Sequence, residues 1–247
     1  MLKDKVAIIT GASSGIGRAA ALLFAEEGAA VILNARGEAA LHSLAAEIEA
    51  TGGQAFAVAG DVAEEKTHKR MVDAALDRFG GLDIAFNNAG AVGPYKPLAE
   101  VTITEWQQTI ATNLTSAFLG AAAQIPVMLE RGGGSIIFTS TFVGTSVGIP
   151  GMGAYAASKA GLMGLVKGIT ADYGAQGIRA NALLPGGTDT PAAGDAAQKE
   201  WAAGLHALKR IADPEEIARV ALFLASPMAS FVAGSALYAD GGNAAVK

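Results

Sequence analysis

The sequence predicts an α/β fold: a doubly wound parallel sheet of about seven strands with helices on both faces. Three observations predict it. Short apolar runs alternate with longer segments of helical period along all 247 residues, as a chain of βαβ units requires. Most of the runs are nearly continuous in hydrophobicity, as strands buried on both faces must be. The first run passes through three glycines straight into a helical segment, the arrangement in which backbone N–H groups and a helix N-terminus meet an anion.

The elements follow in order. Residues 5–10 (KVAIIT), 29–34 (AAVILN), 55–60 (AFAVAG), 82–87 (LDIAFN), 134–140 (GSIIFTS), 178–184 (IRANALL) and 235–240 (SALYAD) read as strands. Residues 15–28, 38–51, 64–79, 104–131, 154–175 and 214–225 read as helices. Thr102 and Thr104 precede the fourth of these, and Asp213-Pro214-Glu215 gives the last an N-cap, a proline in the first turn and early acids. No linker or repeat divides the chain, so residues 1–247 are expected to form one domain. Residues 186–209, rich in Ala and Gly, are expected to be an irregular lid over a substrate.

Composition narrows the function. Hydrophobic residues make up 51% and charged residues 17%, enough for a large core. The net charge is −5 and no basic tract occurs, which disfavours a nucleic-acid partner. Cysteine is absent, which excludes disulfides and thiolate metal sites, and the three histidines are scattered, so no metal site is expected. His206 reads as a surface residue near the lid. No apolar run approaches a membrane span, and the start MLKDKVAIITGASSGIG carries no leader pattern, so a cytoplasmic location is expected.

Three stretches carry chemistry. In TGASSGIG (10–17), Gly11, Gly15 and Gly17 permit a tight turn and close approach of backbone to a pyrophosphate. The second strand ends ILNARGE, where Ala35 leaves empty the position at which an acid would bind a ribose 2′-hydroxyl, and Arg36 suits a 2′-phosphate. NADP(H) is therefore favoured, with NAD(H) as the alternative. In YAASK (155–159), Tyr155 and Lys159 stand one turn apart on a helix face. A fixed ammonium there would lower the phenol's pKa and suit it to proton transfer. Asp61, at the end of the third strand, either accepts from an adenine amine or caps the next helix.

Together with Asp61-Val62, NNAG (87–90), Asn113, Ser140, Pro185-Gly186, Thr190 and DGG (240–242), these motifs stand in an order and spacing that resembles the short-chain dehydrogenase/reductase family over essentially the whole chain, in its 3-oxoacyl-reductase-like branch. The resemblance implies a Rossmann-type dinucleotide-binding domain and a catalytic set of Asn113, Ser140, Tyr155 and Lys159. Ser140 would hold the substrate oxygen and Tyr155 would exchange its proton. Lys159 would tune Tyr155 and bind the nicotinamide ribose, and Asn113 would distort its helix and hold a water that joins Lys159 to a proton relay. Cofactor contacts are implied for Gly11, Ser13, Ser14, Gly15, Ile16 and Gly17, for Arg36, Asp61 and Val62, for Asn88, Ala89 and Gly90, for Tyr155 and Lys159, and for Pro185, Gly186, Thr188 and Thr190. Ser14 stands where many NADP-preferring relatives carry a second basic residue.

The implied reaction is NAD(P)(H)-dependent interconversion of a ketone and a secondary alcohol on a small molecule. Reduction of 3-oxoacyl groups on acyl carrier protein is the alternative within the family. A catalytically silent NADP-sensing regulator is the alternative of another class. The resemblance also implies a homotetramer built through the helices at 104–131 and 154–175 and the last strand.

Overall fold

Strands with no polar face need cover on both sides, and the chain supplies it. The computed structural model describes residues 1–246. The strands are β1 (Val6–Thr10), β2 (Ala30–Ala35), β3 (Gln54–Ala59), β4 (Ile84–Asn87), β5 (Gly134–Thr139), β6 (Ile178–Pro185) and β7 (Ala236–Ala239). They form one parallel sheet in the order β3-β2-β1-β4-β5-β6-β7. The helices are α1 (Gly15–Glu26), α2 (Glu38–Ala50), α3 (Glu65–Phe79), α4 (Ile103–Ile110), α5 (Ser116–Glu130), α6 (Gly153–Tyr173), α7 (Ala196–Leu205) and α8 (Pro214–Ala225).

The period-2 alternation of each strand sorts its side chains into two cores. Ala7 and Ile9 of β1, with Val31 and Leu33 of β2, pack beneath α1, α2 and α8 around Phe24, Leu41 and Leu222. Val6, Ile8 and Ile32 point the other way and pack beneath α3, α5 and α6 around Met71, Met128 and Val166. The chain winds outward from β1 to β3 and then returns to β4 on the other side of β1. That reversal opens a crevice at the carboxyl ends of β1 and β4, the place where open α/β sheets bind ligands.

Two readings from helical period and composition are refined here. The segment 104–131 is not one regular helix; it is distorted at Asn113, as the family resemblance implies. A π turn, Ala111–Thr115, separates α4 from α5. Its cause is Asn113, whose amide pairs with both backbone groups of Ala91, with Nδ2 donating to the carbonyl and Oδ1 accepting from the N–H at 2.8 Å each. A side chain tied to a neighbouring strand end displaces one residue from the helical ladder. Residues 186–209 are not irregular throughout. Asp195 and Gln198 form a capping box that starts α7, a signal of the S/T/D-x-x-E/Q kind.

The start signals at α4 and α8 act as expected, through Thr102 with Glu105 and through Asp213 with Glu216. Among the described residues no helix is long and apolar enough to cross a membrane.

Candidate active site

The crevice is a cleft of about 810 Å³. Its first wall is the loop between β1 and α1. Gly11 adopts φ +69°, and Gly17 lies so close beneath it that a Cβ there would stand 2.2 Å from the Gly11 carbonyl oxygen. A Cβ on Gly15 would meet Thr190 Cγ2 at 2.8 Å, so loop and opposite wall touch across the cleft. Ser14, the N-cap of α1, makes no side-chain cap bond, and the first turn holds no acid. The N–H groups of that turn are therefore left to an anion. Ser13, Ser14 and Ile16 also line this wall.

Arg36 stands exposed on the rim where β2 ends, beside Ala35, and no carboxylate occupies that strand end. Asp61 accepts from the Ala63 N–H at 2.9 Å through Oδ1, so it shapes its own turn while bordering the cleft with Val62. Asn88 braces three strands. Its N–H donates to Thr10 Oγ1 (3.0 Å), its Nδ2 to the Thr10 carbonyl (3.1 Å), and its Oδ1 accepts from Thr139 Oγ1 (3.0 Å). Ala89 donates to the same Thr10 hydroxyl at 3.0 Å. Gly90 leaves room for the catalytic groups, since a Cβ there would lie 2.9 Å from Lys159 Nζ and 3.0 Å from Asn113 Oδ1 and displace them.

Tyr155 and Lys159 lie on one face of α6, at the floor of the cleft. Lys159 is 3% exposed, and its ammonium donates to the Thr139 carbonyl at 2.6 Å. Burial pushes its pKa down to about 8. Burial pushes the half-buried Tyr155 phenol up to about 12, and a hydrogen bond with the Thr141 hydroxyl opposes that rise. Burial is thus the larger influence on the phenol in this structure. The ammonium is 6.0 Å from the ring centroid and directed at Thr139, so desolvation outweighs its field.

Ser140 is 2% exposed and does not border the cleft, and its hydroxyl donates to the Lys159 carbonyl at 2.9 Å. Its buried neighbour Thr141 is the side chain whose hydroxyl acts on the phenol. Asn113 is likewise buried, with Nδ2 donating to Ser158 Oγ (3.0 Å) as well as to Ala91.

Four more expected contacts do not border the cleft. Gly17 lies under the loop, and Pro185 ends β6 against Ala239. Gly186 packs on His206, and Thr188 is turned inward with its hydroxyl on the Gly186 carbonyl at 3.1 Å. His206 is no surface residue. It is 2% exposed, accepts from the Gly187 N–H at 2.9 Å and meets Phe142 edge-on at 6.3 Å. Glu105, Gln108, Thr109 and Thr112, from α4 and the π turn, complete the cleft and were not singled out from the sequence. Bonds from Lys96 and Thr102 hold the Glu105 carboxyl down at about 2. Among the described residues no group of three or more His, Asp or Glu could hold a metal ion.

Comparison with known proteins agrees with this geometry. A family model described as "Enoyl-(Acyl carrier protein) reductase" matches residues 11–244. The chain is 39% identical to a cyclohexanol dehydrogenase of an Acinetobacter species over 96% of its own length and 94% of that protein's. It is 41% identical to a 2,5-dichloro-2,5-cyclohexadiene-1,4-diol dehydrogenase of Sphingobium indicum over 99% of both. A solved 7α-hydroxysteroid dehydrogenase, complexed with NADH and 7-oxo glycochenodeoxycholic acid, superposes with a TM-score of 0.92 at 35% identity, over 98% of this chain and 94% of that one. The chain belongs to the short-chain dehydrogenase/reductase family. It is an oxidoreductase that interconverts alcohols and carbonyls.

Proposed function

We propose that the chain interconverts a secondary alcohol on a carbocycle and the corresponding ketone, with NADP(H) preferred over NAD(H). The observation that carries this reading is the placement of Tyr155 and Lys159 together at the floor of a cleft whose wall ends in the glycine loop. The loop fits a dinucleotide, since Gly11 and Gly15 present backbone without side chains to the cleft and the first turn of α1 has no side-chain cap. A bound nicotinamide would supply or accept the hydride.

The remaining chemistry belongs to the protein. The Thr141 hydroxyl and the Tyr155 hydroxyl together hold the substrate oxygen. A phenol held protonated to about 12 is the acid that delivers a proton to that oxygen in reduction. In oxidation it takes the proton back. Lys159 places a positive charge beside the phenol and fixes Thr139. Asn88 and Gly90 keep the strand ends close enough for a ribose to pass. α7 and residues 186–209 cover the substrate.

The choice of substrate rests on the relatives named for cyclohexanol and a cyclohexadiene diol. The paired carboxylate of Glu105 at the rim argues against an anionic or acyl-carrier substrate. Four copies are expected to assemble through α5, α6 and β7. Gly164 and Gly168 of α6 have no neighbour within 4 Å of a built Cβ, so packing within the subunit does not account for them. Phe118 on α5 and Tyr238 on β7 are exposed.

The test is a panel of cyclohexanol, cyclohexanone, linear secondary alcohols and a 3-oxoacyl thioester, run with both cofactors. Cyclic substrates with NADPH should give the highest kcat/KM. Arg36→Ala should raise the NADPH KM roughly tenfold to a hundredfold and leave NADH unaffected, as loss of one charge-assisted contact predicts. Highest turnover of the thioester, or equal use of both cofactors untouched by Arg36→Ala, would refute the respective half of the proposal.

A further inference from the structure

A second cavity, of about 10 Å³, lies behind Lys159. That is near the ~10–15 Å³ that a single water requires. Its wall carries His68 from α3 and Lys159 from α6. The other polar groups on it, from β1, β4, β5 and the helical segment around the π turn, are threonine, asparagine and serine side chains that do not titrate. Tyr155 stands beyond Lys159, on the side of the main cleft.

His68 is an unusual tenant. It is 2% exposed on a helix face that otherwise buries Met71, Val72 and Ala75. Nε2 lies 2.7 Å from the Val62 carbonyl, which can only accept, so Nε2 carries the ring proton. Nδ1 is then a bare lone pair, buried and without a partner in the protein. On the same cavity wall the Lys159 ammonium has three hydrogens and gives one to Thr139. A residue with a buried spare acceptor and a residue with a buried spare donor thus line one space of water size.

We propose that this cavity is a hydration site in which one water donates to His68 Nδ1 and accepts from the Lys159 ammonium, so that His68 is a positioning residue for the charge of Lys159. The lone pair fixes the water's orientation and turns its oxygen toward the ammonium. Burial alone drives Lys159 toward its neutral form. An oriented water opposes that and keeps the ammonium charged near neutral pH. Burial lowers the pKa of His68 itself, against a smaller raising effect from Val62, so the ring stays neutral and keeps its acceptor. The inference rests on the alcohol–ketone reading only for its effect on turnover.

The test titrates Lys159 by NMR of lysine labelled with carbon-13 at the ε-methylene, assigned with Lys159→Met, in wild type, His68→Leu and His68→Gln. Leucine removes the acceptor. Glutamine retains both contacts, its amide N–H on the Val62 carbonyl and its oxygen on the water. The Lys159 pKa should fall by about one unit in His68→Leu, the worth of one hydrogen bond to a charged group. It should return to within a few tenths of wild type in His68→Gln. The alkaline limb of ketone reduction should move by the same interval. A crystal structure of the wild type should show one ordered water in the cavity.

An unchanged Lys159 pKa in a folded His68→Leu protein would overturn the proposal. So would wild-type density with no water. If His68→Leu does not fold, the wild-type density decides: water bonded to Nδ1 upholds the site and its absence rejects it. A Lys159 pKa that falls as described in His68→Leu, with a wild type that turns over no alcohol, would reject the reaction assignment and leave the hydration site standing.

Discussion

Ser140 and Thr141 sit side by side just past the end of β5, and successive residues of an extended chain point in opposite directions. The Ser140 hydroxyl faces α6, where it bonds the Lys159 carbonyl, and Thr141 turns the other way. The family pattern in the sequence located this pair to within one residue, but choosing between TS and ST requires knowing where the strand's pleat ends. The structure chooses Thr141 as the partner of Tyr155. Thr141→Val should lower kcat on the order of a hundredfold, the scale of losing one donor to the reacting oxygen. Ser140→Ala should leave kcat within a few-fold and cost about 1 kcal/mol of stability, because the Lys159 carbonyl loses its bond. The reverse pattern in steady-state kinetics and denaturant melts would restore the original assignment. Lys159 makes a separate prediction. Between pH 8 and 10 the folded chain holds it neutral while the unfolded chain, near 10.5, still binds the proton. Unfolding therefore takes up a proton, and stability should rise with pH in this window, by ~2 kcal/mol. Above pH 10 the trend reverses, because folded Tyr155 keeps its proton toward 12 after the unfolded phenol has lost its own. Lys159→Met should abolish the rise, as read from urea midpoints at stepped pH.

At the scale of elements, the seven strands and six predicted helices are all present, with ends shifted by a few residues. They were legible because each is long, periodic and bounded by glycine, proline or a cap. The two segments that periodicity alone did not resolve are the two nearest the chemistry. The π turn was legible only through the family resemblance at Asn113, since its cause is a bond from Asn113 to Ala91, beyond the end of β4. α7 hides because AAQKEWAAGL has a weak apolar face, and none of its residues is buried. Its stability depends on the capping box at Asp195 more than on packing. Asp195→Ala should cost about 1 kcal/mol of local stability. Hydrogen exchange should quicken at residues 196–205 while the global melting temperature stays within 1–2 °C, as expected for a unit at the low-stability end of a fold. Substrate KM should rise and cofactor KM should not. Unchanged exchange in α7 would show that the cap does not hold it.

For the whole molecule, Phe118 on α5, Tyr238 on β7, Phe231 and Met228 are large apolar side chains left exposed, as an interface between copies requires. Light scattering at micromolar concentration should give four times the 24.8 kDa chain mass, and Phe118→Asp should lower it to a dimer or less. An active monomer would refute the assembly. The order of the sheet has one more implication, for how the protein comes into being. α1, which carries the glycine loop, is backed by α8, so residues 15–26 rest on residues 214–225. β1 likewise waits for β4 before its second edge is covered. On a ribosome the loop emerges first and its support emerges last. The nascent chain must carry the bare apolar flank of α1 through most of translation, where chaperones and stalled or truncated products meet it. Nucleotide capture thus belongs to the finished polypeptide, and any premature stop before α8 should yield an aggregating fragment in place of a smaller binding protein.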